Sequence, residues 1–268
     1  MVAQQRAPRP SGRQPDGQHF LRSPRLATEL VEQARISARD LVMEIGAGSG
    51  RLTRPLADRA GRLIAVERDP VWADRLRSSF SNDPDVAIVR ANALHVPLPH
   101  EPYRVFGNLP FTFGSRILAR FLDDVGSPLQ RLDALLQYEM ARKRAQTHPN
   151  TLVSLGWQPW WEFRLVRHLP RTAFEPLPSV DAGMLSVTRR GPHLLPISAR
   201  PRYVRLIAKG FSASAKPLRL TLRSSVSPRN WAGFVRERGI AADVVPTELD
   251  VSDWVALFER VSRSFDRR

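Results

Sequence analysis

Apolar residues along this chain come in two rhythms. Leu41-Val42-Met43, Leu63-Ile64-Ala65-Val66, Val86-Ala87-Ile88-Val89, Arg104-Val105-Phe106 and Leu132 to Leu136 are short, mostly apolar runs that read as buried strands. Between them, Arg25 to Ala34, Arg51 to Ala57, Pro70 to Phe80 and Ser115 to Leu122 have helical spacing. The first of these helices carries Leu26, Leu30 and Val31 on one face, with Ser23-Pro24 as cap and first turn. The aromatic-rich stretch from Trp157 to Leu169 predicts one strand or two, and Met184 to Thr188 the last strand. Strands alternating with helices through short connections predict an α/β fold, a mainly parallel sheet covered on both faces.

The rhythm stops at both ends. Residues 1 to 15 are rich in Gln, Arg, Pro and Gly, hold Arg6, Arg9 and Arg13, and contain no acid before Asp16. Such a composition buries nothing and predicts a disordered basic arm. After Arg190, Gly191-Pro192 and Pro196 read as a linker. Helical patterns at Pro201 to Gly210, Asn230 to Arg238 and Val251 to Arg263 then predict a small all-helical unit. The expected organisation is an arm over 1–15, a Rossmann-like catalytic domain over 16–192 and a helical C-terminal domain over 193–268.

Composition narrows the class. The 268 residues are 42% hydrophobic, enough for one large core or a core with a small partner. No long uninterrupted apolar run occurs, the first residues carry no apolar segment with a small-residue cleavage site, and cysteine is absent. These exclude a membrane-spanning helix, a visible secretory signal, disulfides and cysteine-ligated metal; a cytoplasmic monomer without metal is expected. Charge adds more, because 41 Lys+Arg stand against 26 Asp+Glu, a formal +15. A preference for arginine over lysine can follow from genomic base composition, but an excess of bases over acids points to a polyanion, nucleic acid. Between Asp181 and Glu237 there is no acid, while eleven bases occur from Arg189 to Arg236. This is read as a phosphate-contacting face that includes Arg202, Arg205 and Lys209. Arg142, Lys143 and Arg144, just past the Leu132 to Leu136 strand, are further candidates for RNA phosphates.

Candidate chemistry sits at strand ends. Glu44-Ile45-Gly46-Ala47-Gly48-Ser49-Gly50 joins the first long strand to the helix after it. Its glycines let the backbone turn sharply and approach a ligand that a Cβ would exclude. The spacing is G-x-G-x-G, not the dinucleotide G-x-G-x-x-G, and an acid opens it; a cofactor without a pyrophosphate suits it, with S-adenosylmethionine the leading candidate. Glu67, at the tip of the next strand, is placed to accept from ribose hydroxyls. Asn108-Leu109-Pro110-Phe111 follows strand Arg104 to Phe106, where open α/β sheets place reacting groups. Those residue types suit methylation of an exocyclic amine, a weak nucleophile whose lone pair is delocalised into its ring. The Asn108 side-chain carbonyl and the Leu109 backbone carbonyl can both accept its N–H bonds, which favours a pyramidal nitrogen. Pro110 fixes φ beside the Leu109 carbonyl, and Phe111 offers a ring on which a base stacks, worth roughly 1–3 kcal/mol. In-line displacement at a sulfonium methyl depends on positioning and desolvation more than on a strong base. The target nucleotide must be unstacked or flipped out.

With these motifs the chain resembles the rRNA adenine N6-methyltransferases, the group that includes the 16S rRNA dimethyladenosine transferases and the Erm macrolide-resistance enzymes. The resemblance covers roughly residues 17 to 190. It rests on Gly17-Gln18-His19-Phe20-Leu21, Glu44 to Gly50, Glu67, Gly107 to Phe111, and Arg171-Thr172-Ala173-Phe174-Glu175-Pro176-Leu177-Pro178-Ser179-Val180-Asp181. It implies a Rossmann-like S-adenosylmethionine methyltransferase domain. Gln18 and His19, with Phe20 and Leu21 following, would lie over the methionine part of the cofactor; Gly46 and Gly48, behind Glu44, would lie beneath it. Glu67 with Arg68 would meet the ribose, and Asn92 with Ala93 the adenine edge. Asn108 and the Leu109 carbonyl would hold the target amine, and Phe111 and Phe174 would sandwich the base.

Two positions depart from the family pattern, which usually has Asn in place of His19 and Asp in place of Asn92. Without charge assistance at Asn92, weaker cofactor binding is expected; His19 is expected to be tolerated. Gln137 to Lys143 and the tryptophans of Trp157 to Phe163 resemble the Erm enzymes of high-GC Gram-positive bacteria. The implied reaction is mono- or dimethylation of N6 of one adenine in domain V of 23S rRNA, conferring macrolide-lincosamide-streptogramin B resistance. A 16S rRNA dimethyladenosine transferase of ribosome biogenesis is the near alternative. A non-catalytic nucleic-acid-binding protein on the same scaffold is the distant one, and the intact Asn108-Leu109-Pro110-Phe111 speaks against it.

Overall fold

A computed structural model describes residues 19–146 and 151–265. Gln18 and the arm predicted over 1–15 lie outside the described residues. Strand β1 (Phe20–Leu21) leads to Ser23, whose hydroxyl accepts from the Leu26 amide and so caps α1 (Pro24–Ala34). The face of α1 that carries Ala27, Leu30, Val31 and Ala34 is buried. There follow β2 (Leu41–Ile45), α2 (Thr53–Ala57), β3 (Arg62–Glu67), α3 (Pro70–Ser79), β4 (Val86–Arg90), β5 (Tyr103–Asn108), α4 (Gly114–Leu122) and β6 (Leu129–Gln137). Every strand and helix expected in this half is present. All five residues of β2 are buried, as a central strand covered on both faces requires.

The next segment departs from expectation. After α5 (Tyr138–Arg144), Thr151 caps α6 (Leu152–Trp157), and β7 (Trp161–Leu169) begins only at Trp161. Trp157 therefore closes a helix instead of opening a strand. Two of the indoles are fixed by bonds to a distant segment: Trp157 Nε1 donates to Asp123 at 2.8 Å and Trp161 Nε1 to the Leu122 carbonyl at 3.2 Å, both at the end of α4. The short β8 (Phe174–Glu175) and then β9 (Ala182–Arg189) follow.

The main sheet runs β4-β3-β2-β5-β6-β9-β7. The pairings from β4 through β6 are parallel, and β9 pairs antiparallel with both β6 and β7. Apart from it, β1 and β8 form a two-stranded antiparallel ladder with Leu21 opposite Phe174. The chain ends in α7 (Arg200–Phe211), α8 (Leu218–Thr221), α9 (Pro228–Arg238) and α10 (Val251–Phe265). Gly210 permits a close approach of α7 to α10, for a Cβ there would meet the Trp254 ring. Tyr203 stands edge-on to both Trp160 and Phe258, so apolar packing continues from the segment before β7 into these helices. Among the described residues no helix is long and apolar enough to cross a membrane.

Candidate active site

The carboxyl ends of β2, β3, β4 and β5 surround one cavity. The glycine turn contributes Gly46 and Gly48, the tip of β3 Glu67 and Arg68, and the segment after β4 Asn92 and Ala93. The end of β5 contributes Asn108 to Phe111, and the entry to β1 contributes His19 and Phe20. Gly46, Gly48 and Gly50 have φ of +74°, +51° and +77°, a region that disfavours side chains. At Gly48 the space is closed as well, because a Cβ would come within 2.5 Å of the Phe20 ring, which itself leans on Trp72.

Glu67 is 4% exposed and accepts from the Gly48 amide at 2.8 Å and the Asp69 amide at 2.7 Å. It thereby holds the glycine turn against β3. A carboxylate has about four acceptor sites, so capacity remains for a ribose. Asn92 is exposed, and its Oδ1 accepts from the Leu94 amide at 3.0 Å; the oxygen expected at an adenine edge is already shared with a turn. Leu21 is in the core and not in the lining. Glu44 lies in β2 behind the turn, fully buried, and neither of its oxygens nor the adjacent Thr53 hydroxyl makes a regular hydrogen bond. Burial pushes the Glu44 carboxyl up to about 8, opposed in part by Thr53 and assisted by the Glu67 charge.

Asn108 Nδ2 donates to the His19 carbonyl at 2.6 Å. A carbonyl can only accept, so the amide end facing His19 is the NH2 group, and Oδ1 is the end left for a substrate N–H. The Leu109 amide is anchored on the Leu135 carbonyl at 3.1 Å, and the Phe113 amide closes a turn onto the Pro110 carbonyl at 2.9 Å. The half-buried Phe111 ring is tilted against His19 with centroids 5.6 Å apart.

Phe174 does not join this lining. It is 1% exposed and packs in the core cluster that holds Leu21 and Leu30, so it presents no open face for a base in this form. Sequence reading passed over Phe113, which lines the cavity and is 39% exposed. Its spacing of four from Ile117 places it on the buried face of α4 by periodicity alone; as the N-cap it stands ahead of the first turn and stays open. The Arg171 to Asp181 motif is tied by its last residue. Asp181 Oδ1 accepts from the Arg171 amide and Oδ2 lies against His168 Nε2, both at 2.8 Å, while its carbonyl accepts from the Tyr138 amide at 2.9 Å. The Arg171 amide bond, then His168, holds this carboxyl below its ordinary range.

The candidate RNA cations divide. Arg142 pairs with Glu139 at 2.8 Å, and Lys143 is exposed. Arg144 turns inward, donating to the Thr151 and Ser154 hydroxyls at 3.2 and 3.0 Å, with its guanidinium 5.5 Å from the Trp157 ring centroid. It joins α5 to α6, and burial lowers its pKa. On α7, Arg202 and Arg205 are exposed, whereas Lys209 donates to the Ser224 and Ser225 hydroxyls.

A glycine cradle, an acid at the next strand tip and an oriented asparagine amide define a nucleotide-type α/β methyltransferase class. Over residues 9–263 the chain matches the model of the ribosomal RNA adenine dimethylase family, and it belongs to that family. It is accordingly an S-adenosylmethionine-dependent rRNA adenine N6-methyltransferase. Among its relatives is the mycinamicin-resistance protein MyrB of Micromonospora griseorubida, 30% identical over 94% of this chain and 79% of that protein. The ribosomal RNA small subunit methyltransferase A of Synechococcus sp. is 29% identical over 94% of this chain and 93% of its own. The crystal structure of the 23S rRNA methyltransferase ErmE superposes with a TM-score of 0.81 at 28% identity, covering 91% of this chain and 99% of that one.

Proposed function

We propose that this enzyme methylates N6 of one adenine in domain V of 23S rRNA and thereby confers macrolide-type resistance, acting as a cytoplasmic monomer on free rRNA. The observation that carries the reading is the end-to-end likeness to ErmE, which includes the C-terminal helices. When bound, S-adenosylmethionine supplies an electrophilic sulfonium methyl. The residues that would hold it are Gly46 and Gly48 through their backbone, Glu67 and Arg68 at the ribose, Asn92 and Ala93 at the adenine edge, and His19 with Phe20 above. Asn108 Oδ1 and the Leu109 carbonyl accept the two N–H bonds of the target amine, which favours a pyramidal nitrogen and withdraws its lone pair from the ring's π system. Phe111 gives the flipped base a stacking face, and the rings of Phe20, Phe111 and Phe113 keep water from the reacting nitrogen.

Residues 16–192 are the proposed catalytic domain and 193–268 the RNA-binding one, with the arm over 1–15 as an adjunct. Lys143, Arg202 and Arg205 are the proposed phosphate contacts, being exposed, although the Lys143 charge is shared with Glu139 on the same helix. The Synechococcus relative supports a second reading, methylation of 16S rRNA. Labelled methyl transfer to protein-free 23S rRNA and to 30S subunits, followed by primer extension across domain V, separates the two. Label in 23S rRNA is the expected result, with a stop at a single adenine where two methyls are added. Label on 30S subunits and none on 23S rRNA would overturn the proposal in favour of the 16S target.

A further inference from the structure

We propose that His19 is a positioning residue: by tethering itself to the Arg171–Asp181 segment, it holds Asn108 in the orientation that offers Oδ1 to the substrate amine. The inference rests on the reading that Asn108 receives that amine. Three contacts meet at this residue. Its backbone carbonyl accepts from Asn108 Nδ2 at 2.6 Å, its ring Nδ1 lies 2.8 Å from the Pro176 carbonyl, and its ring is tilted against Phe111 at 5.6 Å. The Pro176 carbonyl can only accept, so Nδ1 carries the hydrogen in this contact. Both the Nδ1–H neutral tautomer and the imidazolium satisfy that requirement.

The segment after His19 is fixed by the burial of Leu21 and the Phe20–Trp72 contact, but its backbone pairing is short. Phe20 and Leu21 pair only with Glu175 and Phe174, in a ladder of two residues outside the seven-stranded sheet, and the Arg22 amide adds one bond to the Ala173 carbonyl. So short a ladder is weak by itself. The His19–Pro176 bond extends it by one link on the side nearest Asn108. Any residue at 19 would supply the carbonyl, but only a side chain with a donor in the right place supplies the link. Without it the carbonyl is free to move off Asn108, the amide loses the partner that distinguishes its two ends, and a turned amide presents NH2 to an amine that needs an acceptor.

Chemistry narrows which substitutions can replace histidine. Nδ1 of histidine and Nδ2 of asparagine are both two bonds from Cβ, so asparagine can donate to the same carbonyl. Leucine keeps volume at that position and has no donor. A merely cofactor-contacting His19 would respond in cofactor KM, whereas a residue acting through Asn108 responds in kcat at saturating cofactor.

The test uses the full chain, saturating S-adenosylmethionine, and a mixture of protein-free 23S rRNA and 30S subunits, so that the outcome does not depend on which RNA is the target. His19→Leu is expected to lower kcat about tenfold, the loss expected of one hydrogen bond, with KM for RNA and the thermal midpoint little changed. His19→Asn is expected to restore kcat to within about threefold of wild type; His19→Ala provides the same comparison should leucine disturb folding. A wild-type kcat in the leucine and alanine variants, with only cofactor KM raised, would overturn the inference and leave His19 a cofactor contact. Asparagine failing alongside leucine would overturn the tether. Asn108→Ala is run beside them. If it keeps a near-normal rate, the amine-holding reading falls and the inference with it; if it is inactive while His19→Leu is unaffected, only the inference falls.

Discussion

The two ends of the parallel sheet treat a buried carboxylate in opposite ways. At the amino end Arg104, entering β5, donates to the Ala34 and Arg35 carbonyls at the end of α1 and to Asp40 at 3.1 Å, and it faces Asp133. Asp133 is 1% exposed and held by a two-pronged bond from Arg131, both arms 2.8 Å. Beside it Arg189 donates to the Val125, Ser127 and Leu129 carbonyls, its guanidinium over the Trp161 ring. At the carboxyl end of the same strands Glu44 has no regular partner, three glycines hold positive φ, and the Asn108 amide is bonded to a segment outside the sheet. Both Glu44 and Asp133 have their carboxyl pKa raised by burial, yet only Asp133 has arginines to oppose the rise. The buried carboxylate of the amino end is matched by cations, although Tyr103 Oη and Arg104 Nε there are buried without a partner and Arg35 has φ +54°. The buried carboxylate of the carboxyl end lies unmatched beside the glycine turn.

The comparison can be broken from either side. Asp133→Ala should cost the most, about 3 kcal/mol in chemical denaturation, because it strands the partly buried Arg131 guanidinium and removes one of the two acids facing Arg104; a cost below about 1 kcal/mol would mean the amino end is not held by these pairs. Asn108→Asp should lower kcat about 100-fold while leaving the unfolding midpoint in place, since an oxygen would replace the NH2 that faces the His19 carbonyl. An unchanged kcat would show that the amide orientation is immaterial.

Glu44 gives a pH signature. Its folded value of about 8 exceeds the ordinary 4.5, so the neutral carboxyl favours folding at low pH. That contribution is complete below about 4.5 and is lost as pH rises through about 8. Glu44→Gln should therefore melt with a shallower fall in Tm between about pH 5 and pH 9 than wild type; parallel curves would place an ionised, solvated carboxylate at Glu44. The smallest effect is expected at α7. Reversing Arg202 and Arg205 to Glu should flatten the slope of log K for RNA against log salt by roughly 0.7–0.9 for each phosphate that is no longer neutralised. Lys209→Ala should lower Tm and leave that slope alone, because its ammonium braces α7 onto Ser224 and Ser225; the opposite pattern would make Lys209 the phosphate-binding group.

Features set by short-range rules were legible in the sequence. The apolar runs located the strands, the glycine spacing located the cradle, and Asn108 to Phe111 fell at the strand end where it was expected. What sequence could not supply is the direction in which a side chain turns once distant segments meet. Arg144 reads as a solvated cation, and only the arrival of Thr151, Ser154 and Trp157 draws it inward. Phe174 belongs to one of the stretches that carry the family resemblance, yet its pairing opposite Leu21 buries the ring. Phe113 fails in the other direction, a helical period hiding an open ring. The Trp157 to Leu169 stretch misled because aromatic content raises strand propensity, while the Thr151 cap starts a helix there.

Tyr203 stands edge-on between Trp160 and Phe258, with ring centroids 5.9 and 5.7 Å away. Rings interlocked in this way leave no slack, for sliding one past another would open a void that close-packed interiors resist. α7 is thus fastened to the sheet by side-chain packing and not hung from it by a linker. If Arg202 and Arg205 contact phosphates as proposed, their span to Asn108 has a fixed length, and the target adenine would be selected partly by its distance from those phosphates.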